Sequence, residues 1–360
     1  MSHVLITGGA GFIGTRLGRR LAVAGHDVTI LDSLHPQVHN GAGWPSDLHP
    51  KVTRYLGDVT HRPDLDALVS VCRPEVVVHL AAETGTGQSL REASRHGMVN
   101  VVGTTNLLDA MSARDRRPAH VLLASSRAVY GEGPWQDDGG RVFVPAGRHA
   151  DDLNASIWDP RSPNGTRATP MAAQAGSVAP APSNVYAATK LAQEHLLQAW
   201  CTSFEVPLSI LRLQNVYGPG QSLTNSYTGV VSLFSRLAVQ GESIPVYEDG
   251  QIVRDFVFVD DVVSAFTQAI AKPPAGPRLL DIGSGQPGTL LEAAATVAEI
   301  TGAPRPRITG QFRLGDVRAA SCDIAAARDD LGYRPAFDLR AGLTELVTWV
   351  AATLNDSASS

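Results

Sequence analysis

The sequence predicts an α/β protein with a doubly wound parallel sheet and a smaller α/β lobe. Apolar strand patterns alternate with helix patterns through residues 1–213, which is the order that a parallel sheet requires. A glycine-rich turn joins the first strand pattern to the first helix pattern. The alternation then loosens, so we expect residues 253–282 to complete the sheet domain while 214–252 and 283–353 form the smaller lobe. A polar, serine-rich end over 354–360 predicts a disordered tail.

The composition predicts a globular protein without a nucleic-acid or membrane partner. The chain of 360 residues is 43% hydrophobic, and none of its apolar runs approaches the roughly 20 residues of a membrane span. A net charge of −5 gives no attraction for nucleic acid or an anionic surface. Cys72, Cys201 and Cys322 are scattered, which predicts reduced thiols in the cytoplasm and no metal site. The first strand begins by residue 4, so we expect no signal peptide.

The turn after the first strand has the composition of a dinucleotide-binding turn. Gly8 permits a tight turn, Gly11 lets the backbone approach a pyrophosphate, and Gly14 allows the helix to pack closely on the strand. The helix that follows offers free N–H groups to the phosphates. A turn without a ligand is the alternative. We predict that the cofactor lies against these glycines and the intervening Phe12 and Ile13.

Asp32 indicates which dinucleotide binds. It ends a second strand pattern over 27–31, where a carboxylate accepts hydrogen bonds from the adenosine ribose hydroxyls. The same charge would repel a 2′-phosphate by about 1–4 kcal/mol at contact range. No Arg or Lys follows before Lys51 to offset that repulsion. The sequence therefore predicts NAD rather than NADP, with Ser33 in the same ribose site.

Two further strand patterns end in residues suited to a ligand. Asp58, after the strand over 52–56, is either an adenine ligand or a helix cap, a role for which Thr60 competes. The strand over 75–82 is apolar throughout, as expected for a strand buried on both faces. Within it, His79 is expected to be a core histidine with satisfied hydrogen bonds. The strand closes with residues that leave room for the cofactor, Leu80, Ala81 and Ala82.

Polar residues follow at the carboxyl edge of the sheet, where open α/β sheets bind ligands. Thr84, Thr86 and Gln88 lie in the next loop and are candidate substrate contacts. A helix predicted over about 89–113 carries Asn100 midway. A buried Asn needs a hydrogen-bond partner, for which the cofactor is one candidate.

Residues 132–183 interrupt the pattern. They are rich in Gly, Pro, Asp and Ala and have no periodicity, which predicts a long insertion or flap. Loops of this length are usually functional or mobile. The insertion contains no cysteine, which excludes a zinc knuckle.

Tyr186 and Lys190 form the clearest catalytic pattern. They lie four residues apart on a helix predicted over 184–203, so both side chains leave the same face. We expect the nearby ammonium and a positively charged nicotinamide to lower the pKa of the phenol. The phenolate can then take a proton from a carbinol while NAD⁺ takes the hydride. Ser126, at the end of the strand over 121–126, can donate a hydrogen bond to the same oxygen.

Taken together, these patterns resemble the extended short-chain dehydrogenase/reductase family of nucleotide-sugar-modifying enzymes over essentially the whole chain. The resemblance implies a Rossmann-type fold, bound NAD and a nucleotide-diphosphate sugar as substrate. It implies that Ser126, Tyr186 and Lys190 are catalytic, that Tyr186 and Lys190 also contact the cofactor, and that Ser126 contacts the substrate. It further implies a homodimer formed through the helices at 89–113 and 184–203.

The same resemblance implies which residues bind the two ligands. The diphosphate is contacted by Asn215, Arg254 and Arg313. A salt bridge with Asp255 or Asp260 is the alternative role of Arg254. The adenine is held by Asp58 and Val59.

Three segments resemble bacterial dTDP-L-rhamnose 4-epimerases more closely, namely 82–89, 125–133 and 214–223. This likeness implies transient oxidation and re-reduction at C4 of a dTDP-6-deoxyhexose such as dTDP-L-rhamnose. The alternatives are an NAD(P)H-dependent 4-ketoreductase of a 4-keto-6-deoxy sugar nucleotide and a non-enzymatic nucleotide-sensing protein. Many of those epimerases have paired Cys motifs in the insertion, which this chain lacks. Dehydration is disfavoured, because Arg127 and Ala128 stand where the family's 4,6-dehydratases have Asp-Glu.

Overall fold

The computed structural model describes residues 1–39, 41, 43–223 and 229–358. Its strands in chain order are β1 (His3–Thr7), β2 (Asp27–Asp32), β3 (Thr53–Leu56), β4 (Val76–His79), β5 (His120–Ser126), β6 (Trp135–Asp137), β7 (Val142–Phe143), β8 (Ala168–Pro170), β9 (Leu208–Leu213), β10 (Asn215–Tyr217), β11 (Pro245–Val246), β12 (Val253–Arg254), β13 (Phe256–Phe258), β14 (Arg278–Ile282), β15 (Gly288–Thr289), β16 (Arg307–Ile308) and β17 (Ala319–Ala320).

The helices are α1 (Phe12–Val23), α2 (Pro36–His39), α3 (Arg62–Cys72), α4 (Thr86–Ser89), α5 (Ala93–His96), α6 (Gly103–Ser112), α7 (Ala150–Asn154), α8 (Val185–Ser203), α9 (Val230–Val239), α10 (Val259–Ala271), α11 (Leu290–Thr301), α12 (Ala325–Leu331) and α13 (Leu339–Ala358). A π-helical turn, Gly97–Val102, connects α5 to α6, and a 3₁₀ turn, Arg127–Tyr130, follows β5. Within the described ranges, none of the helices combines the length and hydrophobicity needed to span a membrane.

The predicted α/β fold is confirmed, and it is built on a seven-stranded parallel sheet. The strand order is β14-β9-β5-β4-β1-β2-β3. The chain therefore runs outward from β1 to β3 and then returns to β4 on the other side of β1. Residues Val4, Leu5 and Ile6 of β1 pair with β2 on one side and with β4 on the other. Such a reversal leaves a crevice at the carboxyl ends of the strands, where ligands bind in open α/β sheets.

Two apolar cores cover the sheet, because successive side chains of a buried strand point to opposite faces. Val4 and Ile6 lie in one core with Phe266 of α10. Leu5, between them in sequence, lies in the other core with Leu197 of α8. The three β1 side chains are fully buried, so β1 is fixed from both faces.

The last part of the chain builds a third core next to the crevice. α9, α11 and α13 pack together through buried side chains that include Phe234, Val297 and Leu346. A capping box fixes the start of α11, since Thr289 accepts from the backbone N–H of Glu292 while the Glu292 carboxylate accepts from that of Thr289. The short strand β12 carries Arg254 from this region toward the sheet.

Residues 132–183 contain regular structure that the lack of periodicity did not predict. β6, β7 and β8 form an antiparallel sheet. Trp135 on β6 is only 1% exposed, and its indole N–H donates to the carbonyl of Glu132 at 3.2 Å. Strands of two or three residues are too short to show an alternating pattern, which is why the sequence did not indicate them.

The helix predicted over 89–113 is wrong in its first half. The chain forms α4, α5 and the π-helical turn before a regular helix begins at Gly103. Asn100 lies in that turn and binds the backbone of Glu83, accepting from its N–H at 2.7 Å and donating to its carbonyl at 3.0 Å. A long-range contact of this kind is invisible to helix periodicity.

The disordered tail predicted over 354–360 is also wrong for its first residues, because α13 continues to Ala358. Leu354 packs against the third core, and the hydroxyl of Thr353 donates to the carbonyl of Trp349 at 2.9 Å. Residues 359 and 360 lie outside the described ranges.

Gly14 and Gly18, one turn apart on α1, form a matched pair for a stability test. A Cβ at Gly14 would lie 2.6 Å from the carbonyl oxygen of Gly8, a backbone atom, whereas a Cβ at Gly18 would meet only side chains at 3.9 Å. We expect Gly14→Ala to lower the free energy of unfolding by about 1–3 kcal/mol through overpacking. Gly18→Ala should raise it by about 0.5–1 kcal/mol through helix propensity. Denaturant unfolding of both variants measures the difference, and equal stabilities would contradict the close packing of the turn.

Candidate active site

A cavity of about 1210 Å³ opens at the carboxyl edge of the sheet. It exceeds the roughly 300–1,000 Å³ of a site for one small molecule. It extends from the glycine turn to the small strand carrying Arg254, so it has room for a dinucleotide and a second ligand. Most of the predicted site residues line it, namely Gly8, Gly11, Phe12, Ile13, Gly14, Asp32, Ser33, Asp58, Val59, Leu80, Ala81, Ala82, Thr84, Thr86, Ser126, Tyr186, Lys190, Asn215, Arg254 and Arg313.

The glycine turn is shaped so that no side chain would fit. Gly8 has a φ of +67°, and a Cβ there would lie 2.7 Å from the backbone nitrogen of Ala81. A Cβ at Gly11 would lie 3.2 Å from the Gly8 carbonyl. The backbone N–H groups at the start of α1 therefore remain open to an anion. This cradle fits a dinucleotide pyrophosphate.

Asp32 is held rigidly at the end of β2. Its two carboxylate oxygens accept from the backbone N–H of Ala10 at 3.0 Å and that of Leu34 at 2.9 Å. His39 Nε2 lies 3.5 Å from one of these oxygens, so the neighbour of Asp32 that can carry a positive charge is a histidine rather than an Arg or Lys. The carboxylate lines the cavity beside the exposed Ser33, where a ribose would lie.

Asp58 does not cap α3, whose N-cap is His61, so of the two alternatives the adenine-ligand role remains a prediction. One of its oxygens accepts from the backbone N–H of Thr60 at 2.8 Å and from its hydroxyl at 2.9 Å. The same residue lines the cavity next to Val59. The two hydrogen bonds from Thr60 therefore orient the Asp58 carboxylate, and the residue still lines the cavity.

Two predicted site residues do not line the cavity. Asn100, predicted to bind the cofactor, is fully buried and binds the Glu83 backbone and the hydroxyl of Thr189. Gln88, a predicted substrate contact, is 3% exposed and is hydrogen-bonded to Gln37. Both amides have protein partners from distant parts of the chain, which the local sequence cannot indicate. Both assignments are corrected to structural roles.

Ser126, Tyr186 and Lys190 meet on one wall of the cavity. Ser126 is the last residue of β5, and its hydroxyl accepts from the backbone N–H of Ala128 at 3.1 Å. Asn184 caps α8 by accepting from the N–H of Ala187, which sets the helix start at Val185, one residue before Tyr186. Lys190 follows one turn later and is 3% exposed.

Burial, rather than the neighbouring ammonium, has the largest effect on the tyrosine. Burial raises the pKa of Tyr186, while the Ser126 hydroxyl and the positive charge of Arg127 oppose that rise. Lys190 was expected to lower the pKa of Tyr186, but it is not among the causes of the shift in the protein without ligands. Burial also lowers the pKa of Lys190 to about 7, against the opposing charge of Glu194. The depth of these groups depends on tertiary packing, so the sequence could not show it.

Arg127 lines the cavity, although the sequence analysis used it only as evidence against dehydration. It begins the 3₁₀ turn after β5 and lines the cavity beside Ser126. Its guanidinium has no hydrogen bond or ion pair with any residue that the structure describes. Burial lowers its pKa, and the charges of Asp316, Tyr186 and Glu132 oppose the change. Its position directly after the strand-end serine was the signal available in the sequence.

Arg254 is a buried cation without a carboxylate partner. It is 5% exposed, and its guanidinium donates to the carbonyls of Val253 at 2.8 Å and Val317 at 2.9 Å. Burial, helped by the charge of Arg127, lowers its pKa to about 10 against the opposing charges of Asp316 and Glu132. No carboxylate lies within 4.0 Å of it among the described residues, so the alternative of a salt bridge is wrong. Asp260 instead pairs with Arg16 at 2.9 Å.

Two more predicted contacts complete this end of the cavity. Arg313 is exposed and lies over the ring of Tyr247, with 5.4 Å between the guanidinium carbon and the ring centroid. Asn215 lines the cavity between the glycine turn and the smaller lobe. Its buried side-chain oxygen has no hydrogen-bond partner in the described part of the chain. An unpaired buried acceptor is costly. A donor on a ligand would satisfy it.

The insertion is attached next to this site by ion pairs of two buried arginines, which the sequence analysis missed. Arg148 pairs with Glu248 at 2.8 Å and with Glu132 at 3.4 Å. Arg318 pairs with the other oxygen of Glu248 at 3.0 Å and with Asp159 of the insertion at 2.6 Å. Across the ranges that the structure describes, no cluster of three or more His, Cys, Asp and Glu side chains could hold a metal ion.

Comparison with known proteins gives a consistent result. The model of the NAD dependent epimerase/dehydratase family matches residues 4–151 and 157–283. A dTDP-L-rhamnose 4-epimerase from Burkholderia thailandensis is 51% identical over 352 residues, which cover 98% of this chain and 96% of that protein.

Solved structures share the fold. A UDP-glucose 4-epimerase from Thermotoga maritima, solved with UDP-glucose, has a TM-score of 0.80 and 27% identity, covering 98% of this chain and 99% of that chain. A UDP-glucose 4-epimerase from Thermus thermophilus, solved with NAD, has a TM-score of 0.76 and 26% identity, covering 97% and 98%.

The charge of Asp32 provides a test of cofactor choice. We expect Asp32→Asn to weaken NAD binding and to strengthen NADP binding, because the variant removes a repulsion of about 1–4 kcal/mol while keeping the shape of the side chain. Titration of both dinucleotides measures the preference. The control is Asp27→Asn, at the exposed start of the same strand, which should change neither affinity. An unchanged preference in Asp32→Asn would show that another group excludes the 2′-phosphate.

Proposed function

The chain belongs to the NAD dependent epimerase/dehydratase family, and we propose that it is a 4-epimerase of a nucleotide sugar, acting on a dTDP-6-deoxyhexose such as dTDP-L-rhamnose. The observation that carries this proposal is the convergence of Ser126, Tyr186 and Lys190 with buried Arg254 and half-buried Arg127 in one cavity. The full-length similarity to a dTDP-L-rhamnose 4-epimerase supports the choice of substrate.

NAD fits one half of the cavity. The turn at Gly8 and Gly11 leaves space for the pyrophosphate, and the carboxylate of Asp32 is placed for the ribose. Asp58 and Val59 would hold the adenine, and Tyr186 and Lys190 the nicotinamide end. When bound, the cofactor accepts a hydride from C4 of the sugar and returns it to the opposite face.

Tyr186 is proposed to move the proton in both half-reactions. It takes the proton of the C4 hydroxyl during oxidation and returns it to the carbonyl oxygen during reduction. Ser126 donates a hydrogen bond to the same substrate oxygen. Because burial raises the pKa of the phenol, nearby positive charge is needed to form the phenolate, and Arg127 supplies part of it.

Two unpaired cations support binding of a diphosphate at the other half of the cavity. Buried Arg254 and half-buried Arg127 have no carboxylate within ion-pair distance among the described residues, and removing such charges from water is unfavourable. A diphosphate would supply the missing negative charge, and guanidinium groups match phosphate oxygens with two hydrogen bonds each. Arg313 at the rim and the unpaired oxygen of Asn215 would complete the contacts.

The geometry argues against dehydration. A 4,6-elimination needs an acid and a base beside the sugar. The residues after Ser126 are a guanidinium and a methyl group, Arg127 and Ala128, and neither can exchange a proton at neutral pH. The chemistry that remains is oxidation and re-reduction at one carbon.

We also propose the arrangement of the chain in its assembly. Residues 1–213 and 253–282 form the NAD-binding domain, and 214–252 and 283–353 the nucleotide-sugar lobe, of which 224–228 lie outside the described ranges. A homodimer through the 89–113 segment and α8 is supported by exposed Leu90 and Met98, at 55% and 48%. Buried free thiols at Cys72, Cys201 and Cys322 support a cytoplasmic location.

The reaction itself is tested by incubating the protein with dTDP-L-rhamnose, without added NAD(P)H. We expect the C4 epimer to appear, because oxidation and reduction balance within one turnover. Tyr186→Phe should lower the rate by about 10²–10⁴-fold, the usual effect of losing a positioned acid/base. Tyr55→Phe, a tyrosine on β3 outside the cavity, is the matched control.

UDP-glucose, tested in parallel, distinguishes a preference for the nucleotide and sugar. If no hexose epimerises while a 4-keto sugar nucleotide is reduced with stoichiometric NAD(P)H, the protein is a ketoreductase. If Tyr186→Phe keeps the normal rate, the assignment of the proton carrier is wrong.

Arg254→Lys tests the diphosphate site. We expect KM for the nucleotide sugar to rise by about 10–100-fold with a smaller fall in kcat, since a lysine keeps the charge and loses the paired hydrogen bonds. Arg307→Lys, on the exposed strand β16 of the same lobe, is the control and should leave KM unchanged. A fall in kcat alone would place Arg254 at the reacting carbon instead.

A further inference from the structure

A chain of buried hydrogen bonds runs from Lys190 away from the cavity. The ammonium of Lys190 donates to the side-chain oxygen of Gln193 at 2.5 Å. The amide nitrogen of Gln193 lies 2.8 Å from the hydroxyl of Thr104 and 3.1 Å from Nε2 of His79. Nδ1 of His79 lies 2.7 Å from the hydroxyl of Thr7. All four partners of this chain beyond the lysine are fully buried.

The chemistry of the lysine sets the direction of every bond in the chain. An ammonium only donates, so the oxygen of Gln193 must face Lys190 and its NH₂ must face inward. One amide proton goes to Thr104, whose own hydroxyl proton donates to a backbone carbonyl at 2.6 Å. The other goes to Nε2 of His79, which leaves the ring proton on Nδ1 to donate to Thr7.

His79 suits this arrangement because it stays neutral. Burial lowers its pKa to about 3, and the charge of Lys190 contributes to the shift. A neutral ring has one acceptor and one donor, as the chain requires. The far end, Thr7, is the last residue of β1 and immediately precedes Gly8. The chain therefore connects the lysine to the start of the phosphate-binding turn.

We propose that Gln193 is a positioning residue of Lys190, whose ammonium it fixes through an amide that His79 and Thr104 hold in one orientation. This inference rests on the proposed function, in which Lys190 acts beside Tyr186. Gln193 does not line the cavity, so it acts only through the lysine.

Other charged groups around the lysine are already accounted for. Glu194 on the same helix raises the pKa of Lys190, but its two oxygens are held by Arg212 of β9 at 2.9 and 2.7 Å. Tyr186 lies on α8 itself, and the 3₁₀-turn residue Arg127 and His96 of α5 stand on elements packed against α8. Gln193 is the acceptor that the structure gives to the lysine nitrogen.

Two substitutions at Gln193 should shift the pKa of Lys190 in opposite directions. Gln193→Met removes the acceptor and should lower the pKa of Lys190 by about one pH unit, a tenfold change for a hydrogen bond to a charged group. Gln193→Glu places a negative charge at the same point and should raise it. In Gln193→Met, Thr104 can still bond His79, since their atoms are 3.0 Å apart. In Gln193→Glu, His79 can carry its ring proton on Nε2 instead of Nδ1 and donate it to the new carboxylate.

NMR of the full-length protein with ¹³Cε-labelled lysine measures the titration directly. The chain has three lysines, Lys51, Lys190 and Lys272, so the signals are assigned by single substitutions. Gln198→Met and Gln198→Glu, on the exposed side of α8, are the controls and should leave the titration unchanged. The alkaline limb of the kcat–pH profile should follow the same shifts.

A uniform loss of kcat at every pH, with no change in the lysine titration, would overturn the proposal and leave Gln193 a purely structural residue. Should Gln193→Met fail to fold, the shift in Gln193→Glu decides alone. Absence of epimerisation by the unsubstituted protein would instead contradict the proposed function, and the NMR titration would still test Gln193.

Discussion

The site depends on positive charge that the fold buries without supplying its counter-ions. Lys190, Arg127 and Arg254 all lie in the cavity wall, and burial lowers the pKa of each. Removing an unpaired charge from water is unfavourable, and the structure offsets part of this effect at Lys190 and Arg254 through an amide oxygen and two backbone carbonyls. A dianionic ligand recovers that energy when it binds. The cavity is therefore pre-organised for a phosphate-bearing substrate, as an electrostatic site should be.

Local sequence spacing predicted the parts of the site that local geometry determines. Gly8 is required by the positive φ of its turn and Gly14 by contacts with Gly8 and Gly9 in the same β-turn-α unit. Tyr186 and Lys190 are brought together by one turn of one helix. Asn100 and Gln88 were misassigned because their partners, Thr189 and Gln37, are distant in sequence. Arg254 was correctly placed in the cavity, although only the fold shows that its neighbouring carboxylates are occupied elsewhere.

The insertion shows a different limit of sequence analysis. Its strands are too short to show an alternating pattern. It is attached to the rest of the protein by Arg148 and Arg318, each of which pairs with carboxylates both inside and outside the insertion. Buried ion pairs of this kind contribute little net stability, yet removing one partner leaves the other charge buried and unpaired. They therefore specify one placement for the insertion. Since Glu132 of this network lies close enough to Arg127 and Arg254 to affect their pKa values, the insertion also helps to set the charge of the cavity.

Opposing effects on the pKa of Tyr186 support its proposed role in both half-reactions. Burial raises its pKa and holds the proton, while positive charge nearby releases it. Arg127 is a permanent source of this positive charge, because it belongs to the chain itself. Both effects therefore act throughout the proposed reaction, in which the tyrosine takes a proton during oxidation and returns it during reduction. In that proposal the tyrosine ends each turnover in the state in which it began.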